Sequence, residues 1–582
     1  MRSPDARLRL IALVLALVSL VIVGRLVDLQ VLGYGRYRDE VDTLVHRQYT
    51  LPQPPPGRVY DRNGALLVGN MPVYDVGAEV SMIRDPQAAA RALAPILNLP
   101  LGDLLATLTP PANLEEGRIV WRPIAKKISV EQAKRLQELE LLWLTLTPTW
   151  QRTYPEGDLA AYVLGFVNEE GNGYGLLGSQ WAFLQGEHPQ LAGDVTGNTS
   201  PLADTLVRTA RSPLPVAGMD LRLTLDRTVQ AYIEEQARLA TEQYKAEGCT
   251  IIVMDPRTGE IIAMASWPKY DPARYAEYMV EGETTIFSDP AVTRLYEPGS
   301  TFKVITVAGA LDAGLVNLDW SYYDAGGLEY GGIIVRNWDG RAYGQQNLQG
   351  LLAKSLNVGA ATLSTRVMGP EVFYRYVRAF GFGQPTGIEI AGEAAGVVHL
   401  PSDWNWEDAF LATNAFGQGI AVTPLQMITA FAAVANDGVM MQPHLVAERR
   451  LPDGSSVVVP PRPLGQPIKP ETARTLQELL VRAVEKEVPQ AMVPGYRIAG
   501  KTGTAQIPGV GGYEQDQVIG SFIAFGPVPD PQVVVLVKID RPGNEPWLRW
   551  GSQTAAPFFA QMAPRLFMLL GIPAAPQAQV QP

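Results

Sequence analysis

At 582 residues the chain is too long for one ordinary hydrophobic core, and 47% apolar with 18% charged residues excludes wholesale disorder. A formal charge of −11, with no clustered excess of Lys and Arg, excludes nucleic acid as the main partner. The single Cys249 and four scattered histidines exclude a disulfide framework and a cysteine-based zinc site; without a G-x-S-x-G or H-E-x-x-H string, the Ser-His-Asp hydrolases and zinc proteases lose support too. No cofactor and no metal are expected.

The first element is apolar. Leu10 to Val23 carries no charge, Arg2, Arg7 and Arg9 precede it, and a helix continued to Val31 reaches about 20 residues, enough to cross a bilayer. This predicts an uncleaved transmembrane anchor over 10–31, a cytoplasmic tail over 1–9, Arg25 and Asp28 paired at the outer interface, and the bulk outside the cytoplasm. The prolines of Pro52 to Pro56 break the chain before the next module. Residues 40–215 read as a mixed α/β pedestal with a strand near Val73 to Val80, a helix over Val130 to Leu142, and no catalytic cluster.

A second boundary falls at Ser212 to Gly218 and opens a module over 216–572. Leu221 to Leu225 alternates as a strand, and Asp226 caps a helix running to about Lys245. Cys249 to Met254 and Glu260 to Ser266 flank the turn sequence Asp255-Pro256-Arg257-Thr258-Gly259 as a hairpin, with Cys249 a buried small hydrophobe. Val518 to Phe525 and Gln532 to Ile539 form a second pair, and Tyr496 to Ile507 adds a fifth strand. With mostly helix and loop between them, the expected class is α+β: one five-stranded antiparallel sheet flanked by helices, closed by a helix over Thr554 to Leu570. The Pro, Ala and Gln-rich stretch 573–582 reads as a disordered tail.

Within this module Ser300-Thr301-Phe302-Lys303 opens a helical stretch that reaches Ala313, with Gly314 as its cap. Positions i and i+3 share a helix face, so the Lys303 amine can take the Ser300 proton, provided burial or a neighbouring cation lowers its pKa. Ser266-Trp267-Pro268-Lys269 matches the same spacing, but Pro268 after a strand argues against a shared helical face. Downstream, Ser355-Leu356-Asn357 ends a helical pattern, and Lys501-Thr502-Gly503-Thr504 lies in a predicted strand. A serine ester needs a base, a proton relay to the leaving amine, an anchor for an anionic substrate and donors for the oxyanion. Lys303 suits the first role, Ser355 the relay, Asn357 a hold on the substrate amide, and Lys501, Thr502 and Thr504 the grip on a terminal carboxylate. Gly503 leaves room for substrate backbone.

S-x-x-K, S-x-N and K-T-G in this order are the signature of penicillin-binding proteins and class A β-lactamases. Further stretches, GRVYDRNG at Gly57 to Gly64, RTYPEGDLAAYVLGFV at Arg152 to Val167, DPRTGEIIAMAS at Asp255 to Ser266 and FGQGIAVTPLQ at Phe416 to Gln426, resemble the class B penicillin-binding proteins over nearly the whole chain. YEPGSTFK and SLNVG resemble the division branch, the FtsI type, with the elongation branch as the near alternative. The resemblance implies an anchor, a dimerisation-type pedestal and a transpeptidase domain of the serine β-lactamase-like fold, with oxyanion donors in the N–H groups of Ser300 and Thr504. It implies D-Ala-D-Ala stem peptides and β-lactams as ligands, the lipid bilayer as a support, and a membrane glycosyltransferase and other cell-wall assembly proteins as partners. The family usually has Arg where Pro56 stands and Glu where Leu177 stands, which puts pedestal packing or partner coupling in question. No E-x-x-L-N string supports a β-lactamase, whereas D,D-carboxypeptidase activity and a scaffold role for the anchor and pedestal stay open.

Overall fold

A computed structural model describes residues 13, 16–23, 25, 53–111, 120–186, 216–279, 283–509, 512–543 and 545–574. The tail 1–9, most of the anchor expected over 10–31, most of the boundary at 212–218 and the tail from 575 lie outside the described residues. Among the described residues no helix is long and apolar enough to cross a membrane. The chain divides into two units, 1–54 with 72–150 and 187–216, and 55–71 with 151–186 and 217–582. The stretch expected as one module over 40–215 is thus shared between them.

In the first unit, Tyr74 to Glu79 runs antiparallel to Trp121–Ile128, Tyr74 facing Ile128 and Glu79 facing Trp121. Inward residues Val76 and Ala78 form a small core with Leu93 and Leu104 from the helices Pro86–Leu97 and Leu101–Leu108. Asp85 caps the first of these helices at the Ala88 N–H, and a Ser129–Gln132 capping box starts the helix Val130–Gln137. That helix stops short of the expected Leu142. Glu140 turns to φ 49°, and Trp143 in the following turn and Leu144 and Leu146 in extended backbone pack on the same core; tertiary burial outweighs the helical rhythm of the apolar run.

The second unit holds the five-stranded sheet: β1 (Gly248–Met254), β2 (Ile261–Trp267), β3 (Ala499–Gly509), β4 (Gly512–Gly526) and β5 (Val533–Asp540). The order is β3-β4-β5-β1-β2, antiparallel throughout, which leaves β3 as an edge. The helices of this unit include α1 (Arg227–Gln243), α2 (Lys303–Asp312), α3 (Leu348–Ala353), α4 (Asn357–Thr362), α5 (Pro424–Ala435) and α6 (Ala555–Leu569). Side chains alternate across a strand, so β1 sends Ile251 and Val253 to one core with α1 and α6, and Ile252 and Met254 to another with α2 and α5. Burial on both faces explains why these strands read as unbroken apolar runs. Every residue of α5 is buried, which makes it the central helix of the second core.

Between β2 and β3 the chain is not only helix and loop. Ser321–Asp324 pairs with Gly344–Asn347, Gly327–Tyr330 with Ile333–Arg336, and Val446–Arg450 joins Asp220–Leu223 and Ser456–Val458. Each of these strands is five residues or fewer with polar residues interspersed, too short for a period-2 signal to stand out. Cys249 is buried, and burial pushes its thiol well above the usual range. Leu177 is fully buried among Leu164, Leu176 and Leu184. In the same unit Arg152 donates to Gly57 O and Asn70 Oδ1, while its buried Nε and Nη2 have no hydrogen-bond partner among the described residues; burial lowers its pKa to about 10.

Phe559 of α6 meets Phe522 of β4 with ring centroids 5.3 Å apart in the core between α6 and the sheet. Phe559→Ala should lower the unfolding free energy by about 3–5 kcal/mol in chemical denaturation, the cost of an aromatic cavity in a close-packed core.

Candidate active site

The turn before α2 begins at Gly299, whose φ of 58° favours glycine; a Cβ there would sit 2.8 Å from Thr504 O. Gly299–Phe302 is a 3-10 turn, where a continuous α-helix from Ser300 was expected, and Lys303 then opens α2. Three residues per turn eclipses positions i and i+3. Lys303 Nζ accordingly lies 2.9 Å from Ser300 Oγ. Thr301 Oγ1 donates to Pro298 O at 2.8 Å, and Phe302 packs into the core against the tilted ring of Phe382, so polar and apolar contacts both fix the turn.

Lys303 is 0% exposed, and every partner of its amine is an oxygen without formal charge. Besides Ser300 Oγ these are Ser355 O at 2.7 Å, Ser355 Oγ at 3.2 Å and Asn357 Oδ1 at 2.7 Å. Burial, and after it the nearby Lys501, drives the Lys303 pKa well below 10.5. A neutral amine has two N–H donors, which the Ser355 carbonyl and the Asn357 amide oxygen can accept; its lone pair is left for the Ser300 O–H to donate to.

α3 starts under an Asn347 cap that accepts from the Gly350 N–H at 2.9 Å, and it ends before Lys354. Ser355 then adopts φ 59°, a strained value for a residue with a side chain. Leu356 is fully buried and pegs the turn, and Asn357 opens α4. Both ends of the Asn357 amide are engaged, Oδ1 by Lys303 and Nδ2 donating to Arg336 O at 3.0 Å. A substrate amide would have to compete for it.

On β3, Lys501 to Thr504 pair with Ile523 to Gly520 of β4. Alternation turns Lys501 and Gly503 inward and leaves Thr502 and Thr504 partly exposed. Lys501 Nζ donates to Ser355 Oγ at 3.1 Å and to Thr502 O at 3.1 Å, and burial lowers its pKa to about 7. Ser355 Oγ is therefore shared by the two amines. Gly503 has a nearer reason than substrate access: a Cβ there would clash with Ser521 Oγ on β4 and lie 3.0 Å from both Pro298 O and Thr301 Cγ2. Thr504 Oγ1 accepts from the Gly551 N–H at 3.0 Å.

All the singled-out residues thus converge. Ser300, Ser355, Asn357, Thr502 and Thr504 line one cleft of about 890 Å³, with Lys303 and Lys501 beneath it. The other S-x-x-K string does not assemble: Ser266 Oγ lies 3.2 Å from Thr250 Oγ1 under β1, while the Lys269 amine pairs with Asp158 at 3.0 Å and with Glu234. Not foreseen were Trp338 and Trp550, ring centroids 5.0 Å apart on the rim, and the Glu297–Tyr513 hydrogen bond beside the serine turn. They come from the loop after Ile333–Arg336, the turn before α6 and the β3–β4 tip. Only the Glu-Pro-Gly before Ser300 offered a local signal.

Residues 249–563 match the penicillin binding protein transpeptidase domain, and residues 52–177 match the penicillin-binding protein dimerisation domain. The chain is a class B penicillin-binding protein. It is 33% identical to stage V sporulation protein D of Bacillus subtilis over 87% of this chain and 77% of that one. It is 30% identical to the probable peptidoglycan D,D-transpeptidase PenA of Neisseria meningitidis over 98% and 94%. Among solved structures, penicillin binding protein 3 of Mycobacterium tuberculosis complexed with aztreonam superposes with a TM-score of 0.67 at 27% identity, covering 91% of this chain and 99% of that one.

Because β3 is the edge strand and Gly503 packs on the serine turn, Gly503→Ala should separate the two. The expected result is acylation by a fluorescent penicillin slowed by at least about 10²-fold, the effect of a misplacement of about 1 Å, with thermal unfolding shifted only a few degrees.

Proposed function

We propose that this chain is a peptidoglycan D,D-transpeptidase of the FtsI type, working through an acyl-enzyme on Ser300. The observation that carries the reading is the buried Lys303 amine, held among uncharged oxygens 2.9 Å from Ser300 Oγ beneath a cleft lined by Thr502 and Thr504.

The geometry of Lys303 and Ser355, together with the oxyanion donors that the family resemblance implies, supports the following steps. Neutral Lys303 accepts the Ser300 proton as Oγ attacks the carbonyl carbon between the two terminal D-Ala residues. Backbone N–H groups of Ser300 and Thr504 take the oxyanion, and an edge strand lets the donor peptide add alongside β3. Lys501, Thr502 and Thr504 hold the terminal carboxylate, whose charge favours the ionised form of Lys501. As the C–N bond breaks, the proton passes from Lys303 through Ser355 Oγ, 3.2 Å away, to the leaving D-Ala amine. The amine of a second stem peptide then attacks the ester by the reverse sequence, forming the crosslink and freeing Ser300. Asn357, bonded to Lys303 and to Arg336 O, keeps the base aimed at the serine. A β-lactam enters the same first half-reaction and stays as an ester.

Around this core the reading includes a single-pass anchor over 10–31, with the catalytic unit outside the cytoplasm, and coupling to a membrane glycosyltransferase through 40–215 in division. The charged and apolar pattern of residues 2–31 supports the first part, and the dimerisation-domain match supports the second. Protease added to spheroplasts should digest residues beyond the anchor; full protection would contradict this topology.

Two substitutions test the chemistry. Lys303→Ala should slow penicillin acylation by about 10²- to 10⁴-fold, the range for loss of a positioned base. Acylation rises with pH as Lys303 loses its proton, so its acid limb should lie well below 10.5. In Lys501→Met, removal of the neighbouring cation raises the Lys303 pKa and should move that limb to higher pH. An unmoved limb in stopped-flow pH profiles would show that Lys303 is not the titrating base.

A further inference from the structure

Glu297 is a buried carboxylate that the acylation steps do not use. It stands three residues before Ser300 and is 8% exposed. Its Oε1 accepts from the Gly419 N–H at 2.8 Å, and the Tyr513 hydroxyl donates to it at 3.0 Å to Oε2 and 3.3 Å to Oε1. Burial raises the carboxyl pKa against the lowering effect of these two donors. Such a group is costly to bury unless it is fixed by hydrogen bonds.

Its two donors sit on opposite sides of the serine turn. On one side, Tyr296 and Val422 exchange backbone hydrogen bonds at 2.9 Å, and the Gly299 N–H donates to Gly417 O at 3.0 Å. On the other lies the β3–β4 hairpin. There the turn meets β3 through glycines, Gly299 against the Thr504 carbonyl and Gly503 against the Pro298 carbonyl, a close approach that carries no direction of its own. Tyr513 comes from the far end of this hairpin, paired with Pro508 beyond a register slip that follows Gln506. Its neighbour Glu514 pairs with Arg541 at 2.8 Å, so the hairpin end is tied from two directions.

Resting on the acyl-enzyme reading above, we propose that Tyr513 and Glu297 are a positioning pair: they fix the serine turn against the hairpin so that Ser300 Oγ and the Thr504 N–H meet the same carbonyl. Acylation needs nucleophile and oxyanion donors on two separate elements to arrive together, and small misplacements are expensive. Neither side chain of the pair touches the reacting atoms. Its effect therefore falls on the chemical step and not on the noncovalent encounter.

The test is stopped-flow acylation of the full chain by a fluorescent penicillin over a range of concentrations, which separates the noncovalent dissociation constant from the acylation rate constant. Tyr513→Phe removes one hydroxyl and keeps the ring. It should lower the rate constant by about tenfold, the size of one lost hydrogen bond to an ionised group. The dissociation constant should stay within about twofold. Glu297→Gln should give a similar loss, and the double variant should be no slower than the slower single, because both act through one link. An unchanged rate constant, a loss wholly in the dissociation constant, or additive losses in the double variant would each overturn the positioning role. Failure of the unaltered chain to form any adduct would instead overturn the acyl-enzyme reading beneath it.

Discussion

The burial of a lysine amine with no carboxylate among its hydrogen-bond partners is the constraint on which the rest depends. An ionised amine at that depth is penalised strongly, and a second buried lysine nearby increases the penalty. Lys303 can be kept there only because four oxygens of Ser300, Ser355 and Asn357 surround it. They satisfy a neutral amine and leave its lone pair to the serine. The same arrangement that makes the base usable would be a defect anywhere without a nucleophile beside it.

The fold supplies these oxygens from three separate stretches of chain. A 3-10 turn, and not the first turn of an α-helix, brings Ser300 over Lys303. The strained φ of Ser355 turns its carbonyl and its hydroxyl to one amine, with Leu356 pegged in the core to hold that turn. Lys501 arrives on an edge strand whose sheet is buried on both faces, so its position is set by packing on the two cores. Glycines at 299 and 503 allow backbone to lie directly on backbone between turn and strand.

Much of this was legible in the sequence. The five sheet strands run as unbroken apolar stretches or carry the K-T-G string, and the structure places them in one antiparallel sheet, with ends shifted by a few residues. The three catalytic strings were readable because each needs particular residue types at fixed local spacing. Contacts between distant segments were not. Glu297 and Tyr513 lie 216 residues apart and Trp338 reaches Trp550 from another loop, and no local periodicity encodes such pairs. Val130 to Leu142 failed differently: its apolar rhythm fits a helix, but the core of the first unit takes Leu144 and Leu146 in extended form. Asn357 shows a third limit, since residue type suggested a substrate contact but gave no sign that its amide also bonds to Lys303 and to Arg336 O.

The whole mechanism turns on Ser300 Oγ being the atom that is acylated. Intact-protein mass spectrometry after exposure to benzylpenicillin, followed by peptide mapping, measures this directly. The expected result is one added penicilloyl group per chain, confined to the peptide that contains Ser300 and absent from Ser300→Ala. An adduct on another residue, including Ser266, or one that persists in Ser300→Ala, would contradict it.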